Sequence, residues 1–393
     1  MFENDAFRHL SKEQKKTRRA EIARVFLKLG TIAFGGPAAH TAMMEDELVN
    51  KRNWLTRDQF MDLVGATNLI PGPNSTELAM HLGYERGGMA GLFIAGGFFI
   101  IPAMLISLLF AWLYQSYGTM PQLAGILYGI KPAVIAIILM ALWRLGKSAV
   151  KGWLTAAVAL AATALSFVGT AEIWLLLGGG LVLMVIRNWQ RLTSKVMSFS
   201  PLPLALMAEA GRAAEPMARM ASPGIFLTFL KIGSMLYGSG YVLLAFLERE
   251  FVLLRPLLTQ QQLLDAIALG QFKPGPVFTT ATFVGYLLDG VPGAIAATVG
   301  IFLPPFLLVL LLNPLIPKLR KSPWLSAALD GINAASLGLM LVVTIRLGLA
   351  SLIDPFTIVL FVAALVAVMK YKVNAAWVVL AGAVLGWAYT AIF

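Results

Sequence analysis

The sequence of 393 residues contains no cysteine, which excludes disulfide bonds, thiolate metal ligands and cysteine nucleophiles. Only 13% of the residues are charged, about half the share of an ordinary soluble domain. The three histidines, His9, His40 and His81, are far apart and lack the spacing of a zinc site. Neither a P-loop nor a Rossmann glycine motif occurs, so we predict no cofactor, and an ion gradient rather than ATP as the energy source.

Apolar residues dominate what remains. They make up 58% of the chain, and the mean hydropathy is +0.77. Runs such as residues 88–114 exceed the roughly 20 residues that a helix needs to cross the hydrocarbon core. A chain of this composition must place much of its surface against lipid, so we predict an all-α, polytopic membrane protein.

The net charge of +11 does not indicate nucleic-acid binding, because the basic residues follow the pattern of a membrane protein. Seven lysines and arginines crowd the first 24 residues, and most of the others lie in short loops between apolar runs. This is the positive-inside distribution. We interpret residues 1–25 as a cytoplasmic basic lead-in that is not a cleavable signal peptide.

The chain contains a long internal duplication. FLKLG at residues 26–30 recurs as FLKIG at residues 229–233, an offset of 203, and PGP at 71–73 recurs at 274–276. After one deleted residue the offset becomes 202 and holds as far as RLG at 144–146 and 346–348. A register held over this distance indicates two copies of one unit. We assign residues 26–193 to the first transporter repeat, 194–223 to a linker and 224–393 to the second repeat.

Loop charges predict that the two repeats are inverted. The loop at residues 115–122 has no charge, whereas its counterpart carries three basic residues at positions 318–321. The next loop reverses this preference, with three basic residues at positions 144–151 against Arg346 alone. Equivalent loops on opposite sides are typical of inverted-topology repeats. The number of spans stays open between about ten and thirteen, because the irregular segments and the linker can each cross or fold back.

Each repeat opens with irregular segments. Gly35, Gly36 and Pro37 interrupt the first apolar stretch, and each PGP interrupts another. Proline removes backbone donors and breaks the helix, and irregular backbone at membrane depth is tolerated only inside protein or beside a watery cavity. The new helix N-termini attract anions, so two breaks related by a pseudo-two-fold axis predict a central anion site with broken or re-entrant helices. The alternative is a pair of kinks that serve helix packing.

Two lysines lie at equivalent places in the repeats, each among apolar residues. Lys28 and Lys231 would offset the charge of an anion if they face the interior; the alternative is that they extend to the headgroups. Lys273 precedes the second PGP and has Ile70 as its counterpart, so an anion site there would be asymmetric. The predicted substrate-binding residues are Lys28, Gly35, Gly36, Asn68, Pro71, Gly72, Asn74, Ser75, Lys231, Gly238, Gln271, Lys273, Gly275 and Thr279.

Acidic residues follow the first break of each repeat. A partly buried carboxylate can bind a proton near neutral pH. The predicted proton-coupling residues are Glu45, Glu47, Glu248, Glu250 and His40. The alternative is an interfacial rim in which these carboxylates pair with neighbouring arginines and lysines.

These segments resemble the chromate ion transporter family, in its long form with two fused repeats. The resemblance rests on FLKLGTIAFGGPAAHTAMMEDELV at 26–49, the PGP segment at 54–84, and their counterparts at 229–252 and 258–286, where Gly-Ser-Gly replaces Gly-Gly-Pro. It implies export of chromate through the bacterial inner membrane, chromate resistance, and coupling to the proton-motive force.

The resemblance leaves the exact cargo open. Sulfate, an isosteric dianion, is the alternative substrate. A membrane-embedded enzyme that acts on phosphorylated lipid is the alternative of another class, but no nucleophile or acid–base cluster supports it, so we predict that the chain is not an enzyme. The expected partners are the oxyanion, the lipid bilayer and a second copy of the chain in a homodimer, with no nucleic acid.

Overall fold

The computed structural model describes residue 7 and residues 10–67, 70–117, 120–189, 220–237, 240–312 and 322–392. In these ranges the first copy contains seven α-helices: α1 (Lys12–Ile32), α2 (Pro37–Glu45), α3 (Arg57–Thr67), α4 (Asn74–Tyr117), α5 (Pro121–Ala149), α6 (Trp153–Phe167) and α7 (Glu172–Arg187). The second copy repeats them: α8 (Ser222–Met235), α9 (Leu243–Glu248), α10 (Gln260–Phe272), α11 (Thr280–Leu312), α12 (Pro323–Ser351), α13 (Pro355–Met369) and α14 (Ala375–Ile392).

Local chemistry sets the ends of the first helix. The Ser11 hydroxyl accepts the Gln14 backbone N–H at 3.2 Å, and the Gln14 side chain accepts the Ser11 N–H at 3.0 Å, which forms a capping box. The helix then crosses the expected boundary at residue 25 without interruption, so the basic lead-in and the first repeat share one helix. It stops before Gly35 and Gly36, whose φ angles of 102° and 80° favour glycine.

Helix α4 reverses direction inside its span. Gly88 has a φ of 63°, and Gly83 lies directly against Gly91. A straight helix would separate those two residues by about 12 Å, so the chain turns back at Gly88. Helix α11 does the same, with Gly285 against Gly293. Each PGP is therefore followed by a short helix and then by a long helix in the opposite direction.

The last two helices of each copy pack against the other copy. Helices α6 and α7 of the first copy pack on α12 of the second, and α13 and α14 pack on α5. Gly129 of α5 lies against Gly382 of α14, and Gly331 of α12 lies against Gly179 of α7. Small residues let membrane helices approach closely. The reciprocal contacts interlock the copies and relate them by a pseudo-two-fold axis.

The equivalent helices α5 and α12 also touch each other. Gly146 near the end of α5 lies against Leu337, and Gly348 near the end of α12 lies against Ile135. The two contacts are equivalent under the repeat, because Gly146 matches Gly348 and Ile135 matches Leu337 at the offset of 202. Between residues 135 and 146 of α5 the contacted residue of α12 falls from 348 to 337, so α5 and α12 run antiparallel.

The exterior of these helices is apolar. Within the described ranges, five helices are long and apolar enough to cross a membrane, by length and composition. Exposed side chains on the outer helices include Trp153, Val168, Leu349 and Trp377. The predictions of an all-α polytopic membrane protein and of two repeated units are confirmed by the helices and by the repeated packing. The predicted linker at 194–223 falls largely on residues 190–219, which lie outside the described ranges.

Candidate functional site

Each PGP break lies against the long helix of the other copy. A Cβ atom added to Gly72 would lie 2.8 Å from Cγ of Pro305, and one added to Gly275 would lie 2.7 Å from Cβ of Ala103. These contacts are equivalent under the repeat, since Gly72 matches Gly275 and Ala103 matches Pro305. Both glycines have positive φ angles, 145° and 80°. The breaks therefore meet the opposite copy at places where only glycine fits.

The carbonyl of Ala33 joins the first break to the second PGP. It accepts the Gly275 N–H at 2.8 Å and Nε2 of His40 at 3.0 Å. A carbonyl can only accept, so Nε2 carries the hydrogen, and in the neutral ring Nδ1 accepts the Ser75 hydroxyl at 3.2 Å. His40, predicted for proton coupling, and Ser75 and Gly275, predicted for substrate binding, therefore lie within one hydrogen-bonded chain.

Lys273 is a buried lysine at the second break. The residue is only 4% exposed, and its Nζ donates to the Pro276 carbonyl at 2.8 Å. The same carbonyl accepts the Thr279 hydroxyl at 2.8 Å, and Ser107 of the first copy donates to Thr279 at 3.3 Å. In the part of the chain that the structure describes, no carboxylate pairs with Lys273. An anion that binds here would supply the missing counter-ion and stabilise the charged ammonium form of the lysine.

A third bridge between the copies involves Tyr241, which the sequence analysis did not select. The added Cβ of Gly36 would lie 3.6 Å from the Tyr241 hydroxyl, which donates to Oε1 of Gln271 at 3.4 Å. The buried Nε2 of Gln271 has no acceptor among the described residues. This free donor, close to Lys273 in sequence, adds to the capacity of the break to bind an anion.

The carboxylate of Glu77 was also missed. It is completely buried beside Gly72, and neither oxygen has a hydrogen-bond donor among the described residues. A sequence signal existed, since Glu77 is a single acidic residue in the first turn after the PGP. Its repeat counterparts are threonines, so the duplication did not draw attention to it.

Lys28 and Lys231 occupy equivalent positions outside this cluster. Lys28 pairs with Glu47 at 3.0 Å and Lys231 pairs with Glu250, each partner nineteen residues later. The lysine side chains are 52% and 46% exposed, whereas the glutamates are buried. The hydrogen bond from Lys28 holds the pKa of Glu47 below its usual value. Both lysines thus already have a counter-ion, and their role in substrate binding stays a prediction.

The other carboxylates predicted for proton coupling are paired as well. Glu45 lies 3.1 Å from Arg57, and Glu248 lies 3.5 Å from Arg346 and accepts from Gln260 at 2.9 Å. These contacts match the ion-paired alternative that the sequence analysis left open. Their part in proton coupling stays a prediction. Of the remaining predicted residues, Pro71 is buried, Asn74 is half-buried and starts α4, and Asn68 and Gly238 lie outside the described residues.

The two lysine–glutamate pairs differ in one respect that predicts unequal mutants. Glu47 has a second cation, since Arg52 lies 3.0 Å away, whereas Lys231 is the one cation that pairs with Glu250 in the described ranges. We therefore expect Lys231→Met to lower the melting temperature of the detergent-purified protein more than Lys28→Met. A buried carboxylate left without its cation is strongly destabilising.

The double variant Lys231→Met with Glu250→Gln separates the two roles of this lysine. Recovery of both stability and transport would show that Lys231 serves only to pair Glu250. Recovery of stability without transport would show that Lys231 also acts on the substrate. Equal melting temperatures for the two single lysine variants would contradict the predicted asymmetry.

Comparison with known proteins identifies the relatives of this fold. The chromate transporter family model matches residues 20–184 and again residues 224–387. The chain belongs to the chromate transporter family. The match in two parts agrees with the duplication, and the predicted family resemblance is confirmed.

Three relatives of this family member align over most of its length, each at 32% identity. They are a chromate transport protein of Cupriavidus metallidurans (93% of this chain and 91% of the relative), a probable chromate transport protein of Synechococcus elongatus (89% and 90%) and a chromate transport protein of Pseudomonas aeruginosa (92% and 90%). No solved structure matches this chain. The prediction of a multi-pass membrane transporter is confirmed by the family and by the helices.

Proposed function

We propose that this chain exports chromate through the bacterial inner membrane and confers chromate resistance. The observation that carries the proposal is Lys273, a buried lysine without a carboxylate partner in the described structure, at the place where the two copies meet. Transport rather than catalysis fits this site, because it offers charge and hydrogen-bond donors to an anion. The relatives named as chromate transport proteins support chromate as the anion.

The donors around Lys273 suit a tetrahedral dianion. Chromate has four oxygens that accept hydrogen bonds, and the Lys273 amino group and Nε2 of Gln271 have hydrogens to donate near the second break. The hydroxyls of Ser75 and Thr279 now donate to His40 and to the Pro276 carbonyl, and each would have to turn to donate to the anion. Sulfate has the same shape and charge, and is the second candidate. The flux of each anion, measured alone in proteoliposomes, distinguishes the two: we expect chromate flux to exceed sulfate flux, as the names of the relatives indicate.

The membrane potential can drive this export without ATP. A cytoplasm at negative potential favours loss of an anion by roughly 2.3 kcal/mol per charge per 100 mV. For a dianion this amounts to about 4.6 kcal/mol, or about three decades in concentration ratio. We therefore expect chromate efflux from proteoliposomes to rise with an imposed inside-negative potential, measured by the absorbance of external chromate.

The same assay provides the decisive controls. Collapse of the potential with valinomycin and equal potassium should slow efflux, whereas ATP should have no effect. A protein that moves sulfate but not chromate would replace the proposed cargo and keep the transport mechanism. Efflux that is indifferent to the potential and depends on ATP would refute the mechanism itself.

We also propose that the two repeats have inverted membrane topology. The antiparallel contact between α5 and α12 supports this, because equivalent helices that cross the membrane in opposite directions require a two-fold axis in the membrane plane. The loop charges of the sequence support the same arrangement. The inversion gives the site two faces that can open alternately to the two sides of the membrane.

Single cysteines test this topology directly, since the chain has none of its own. Lys151 and Ile353 occupy equivalent positions in the turns after α5 and α12. We expect Lys151→Cys to react with an impermeant thiol reagent from the cytoplasmic side, and Ile353→Cys from the opposite side. Labelling of both from one side would show parallel repeats. The expected homodimer stays a prediction, and the mass of the purified protein in detergent tests it.

A further inference from the structure

Glu77 differs from the other acidic residues buried in this protein. It has no exposed surface, and neither carboxylate oxygen has a donor among the described residues. The buried residues Glu47, Glu250 and Asp330 each pair with a lysine or an arginine. Glu77 is therefore a deeply buried carboxyl group for which the described structure supplies no compensating charge.

The position of Glu77 places it at the first break. Its Oε1 atom fills the space that a side chain at residue 72 would occupy, on the side where Pro305 of the other copy also lies. Tyr237, the last described residue before the first break of the second copy, lies near the carboxylate. Ser75, two residues away, contacts His40 and so belongs to the cluster that bridges the copies. Glu77 thus lies where the first PGP meets the opposite copy.

Burial without donors decides the protonation state in this conformation. An ionised carboxylate loses its water here and gains no hydrogen bond in return, which is far more unfavourable than burial of the neutral acid. When the break opens to water, hydration of the carboxylate returns and ionisation becomes easy. The closed conformation therefore requires Glu77 to carry a proton, and the open conformation does not.

We propose that Glu77 binds the proton that permits the substrate site to close. The proposal rests on the transport function above, because each crossing of the cargo passes through a closed site. Low pH should therefore favour the closed conformation and high pH the open one. The titratable groups on the surrounding elements are Tyr237 after α8, His40 on α2, Lys273 after α10, and His81 and Glu85 on α4 itself.

The proposed control of closure by pH acts from the first copy only. The residues that match Glu77 in the second copy are Thr279 and Thr280, which cannot ionise in this range. Both nitrogens of His40 are already engaged, by Ser75 and by the Ala33 carbonyl. Substitution of Glu77 by glutamine keeps the shape of the neutral acid and removes the proton, so it isolates this group from its neighbours.

A cysteine reporter tests closure without any cargo. Ser75→Cys places the one thiol of the chain at the buried break, and Asp58→Cys places a reference thiol on the exposed face of α3. Labelling of the detergent-purified protein by a water-soluble methanethiosulfonate is followed between about pH 5 and about pH 8, with each rate divided by that of the reference. If the protonation of Glu77 alone controls closure, the labelling rate of Ser75→Cys relative to the reference should rise with pH. The rise should reach up to about tenfold per pH unit over the range in which Glu77 titrates.

In the same background, Glu77→Gln should keep labelling slow at every pH, and Asp46→Asn, a change at an exposed carboxylate, should leave the pH dependence intact. A pH dependence that survives Glu77→Gln overturns the proposal, as does labelling that never varies with pH. If Ser75→Cys does not purify as a folded protein, Ser107→Cys, beside Thr279, serves as the reporter. Chromate flux is measured separately, so a failed flux assay counts against the cargo and a failed labelling assay counts against Glu77.

Discussion

Lys273→Met should abolish chromate transport while leaving the protein folded. When an anion binds, the protonated lysine supplies a positive charge to the site, with no carboxylate in the described structure to cancel it. At a separation of about 4 Å and an effective dielectric constant of about 20, one pair of unit charges interacts by about 4 kcal/mol. A dianion doubles this interaction, so we expect a loss of at least about a hundredfold in the flux at low chromate concentration.

Lys273→Met should not lower the stability of the protein, although it lowers the flux. Burial of a lysine without a charged partner is unfavourable for folding, and an apolar side chain of similar length removes this unfavourable free energy. The melting temperature of Lys273→Met should therefore equal or exceed that of the parent protein. Lys273→Arg keeps the charge in a larger group, so we expect it to retain part of the flux.

Lys51→Met is the matched control, because Lys51 is an exposed lysine whose partner Asp46 is exposed as well. It should keep normal flux. Wild-type flux in Lys273→Met would remove this residue from the substrate site. A large fall in melting temperature would instead show that Lys273 has a structural role that outweighs the unfavourable burial of its charge.

Gly275→Ala should destabilise the protein strongly, and Gly72→Ala somewhat less. Both glycines have positive φ angles, which disfavour any other L-residue by about 1–2 kcal/mol. The new methyl group of Gly275→Ala would overlap Cβ of Ala103, and overpacking of this kind typically adds about 1–3 kcal/mol. Together these terms are a large share of the about 5–15 kcal/mol that holds a protein folded.

The order of the two variants follows from what each methyl group meets. At Gly72 the nearest neighbour is the end of the Glu77 side chain, whose torsion angles can adjust, and Cγ of Pro305 follows at 2.8 Å. At Gly275 the neighbours are Ala103 and the backbone of Gly30, and the hydrogen bond to Ala33 would be strained. We expect the melting temperature in detergent and the chromate flux to fall more for Gly275→Ala.

Gly97→Ala controls for the exchange of glycine for alanine. It lies within α4, and an added Cβ meets nothing within 4 Å. Alanine is the better helix former by about 1 kcal/mol, so this variant should be as stable as the parent or more so. Normal stability and flux in Gly275→Ala would show that the close contact between the second PGP and α4 is not required.

Local patterns in the sequence predicted the membrane class, the duplication and the position of each break. Apolar runs, a repeated register and the missing N–H of proline act over a few residues, so they can be read without distances. The same is true of the family, whose motifs lie in those repeated segments. The helix breaks at Gly35, Gly36 and both PGP segments occur where the sequence analysis expected them.

Only the tertiary structure decided which charges are compensated. Lys28 and Lys231 are as conspicuous in sequence as Lys273, yet each of the first two meets a glutamate nineteen residues later. Lys273 and Glu77 lie in the packed region between the copies and meet no opposite charge in the described ranges. Whether a charge is paired or isolated depends on distances between helices far apart in the chain and on the exclusion of water. A sequence pattern contains neither quantity, and packing determines both.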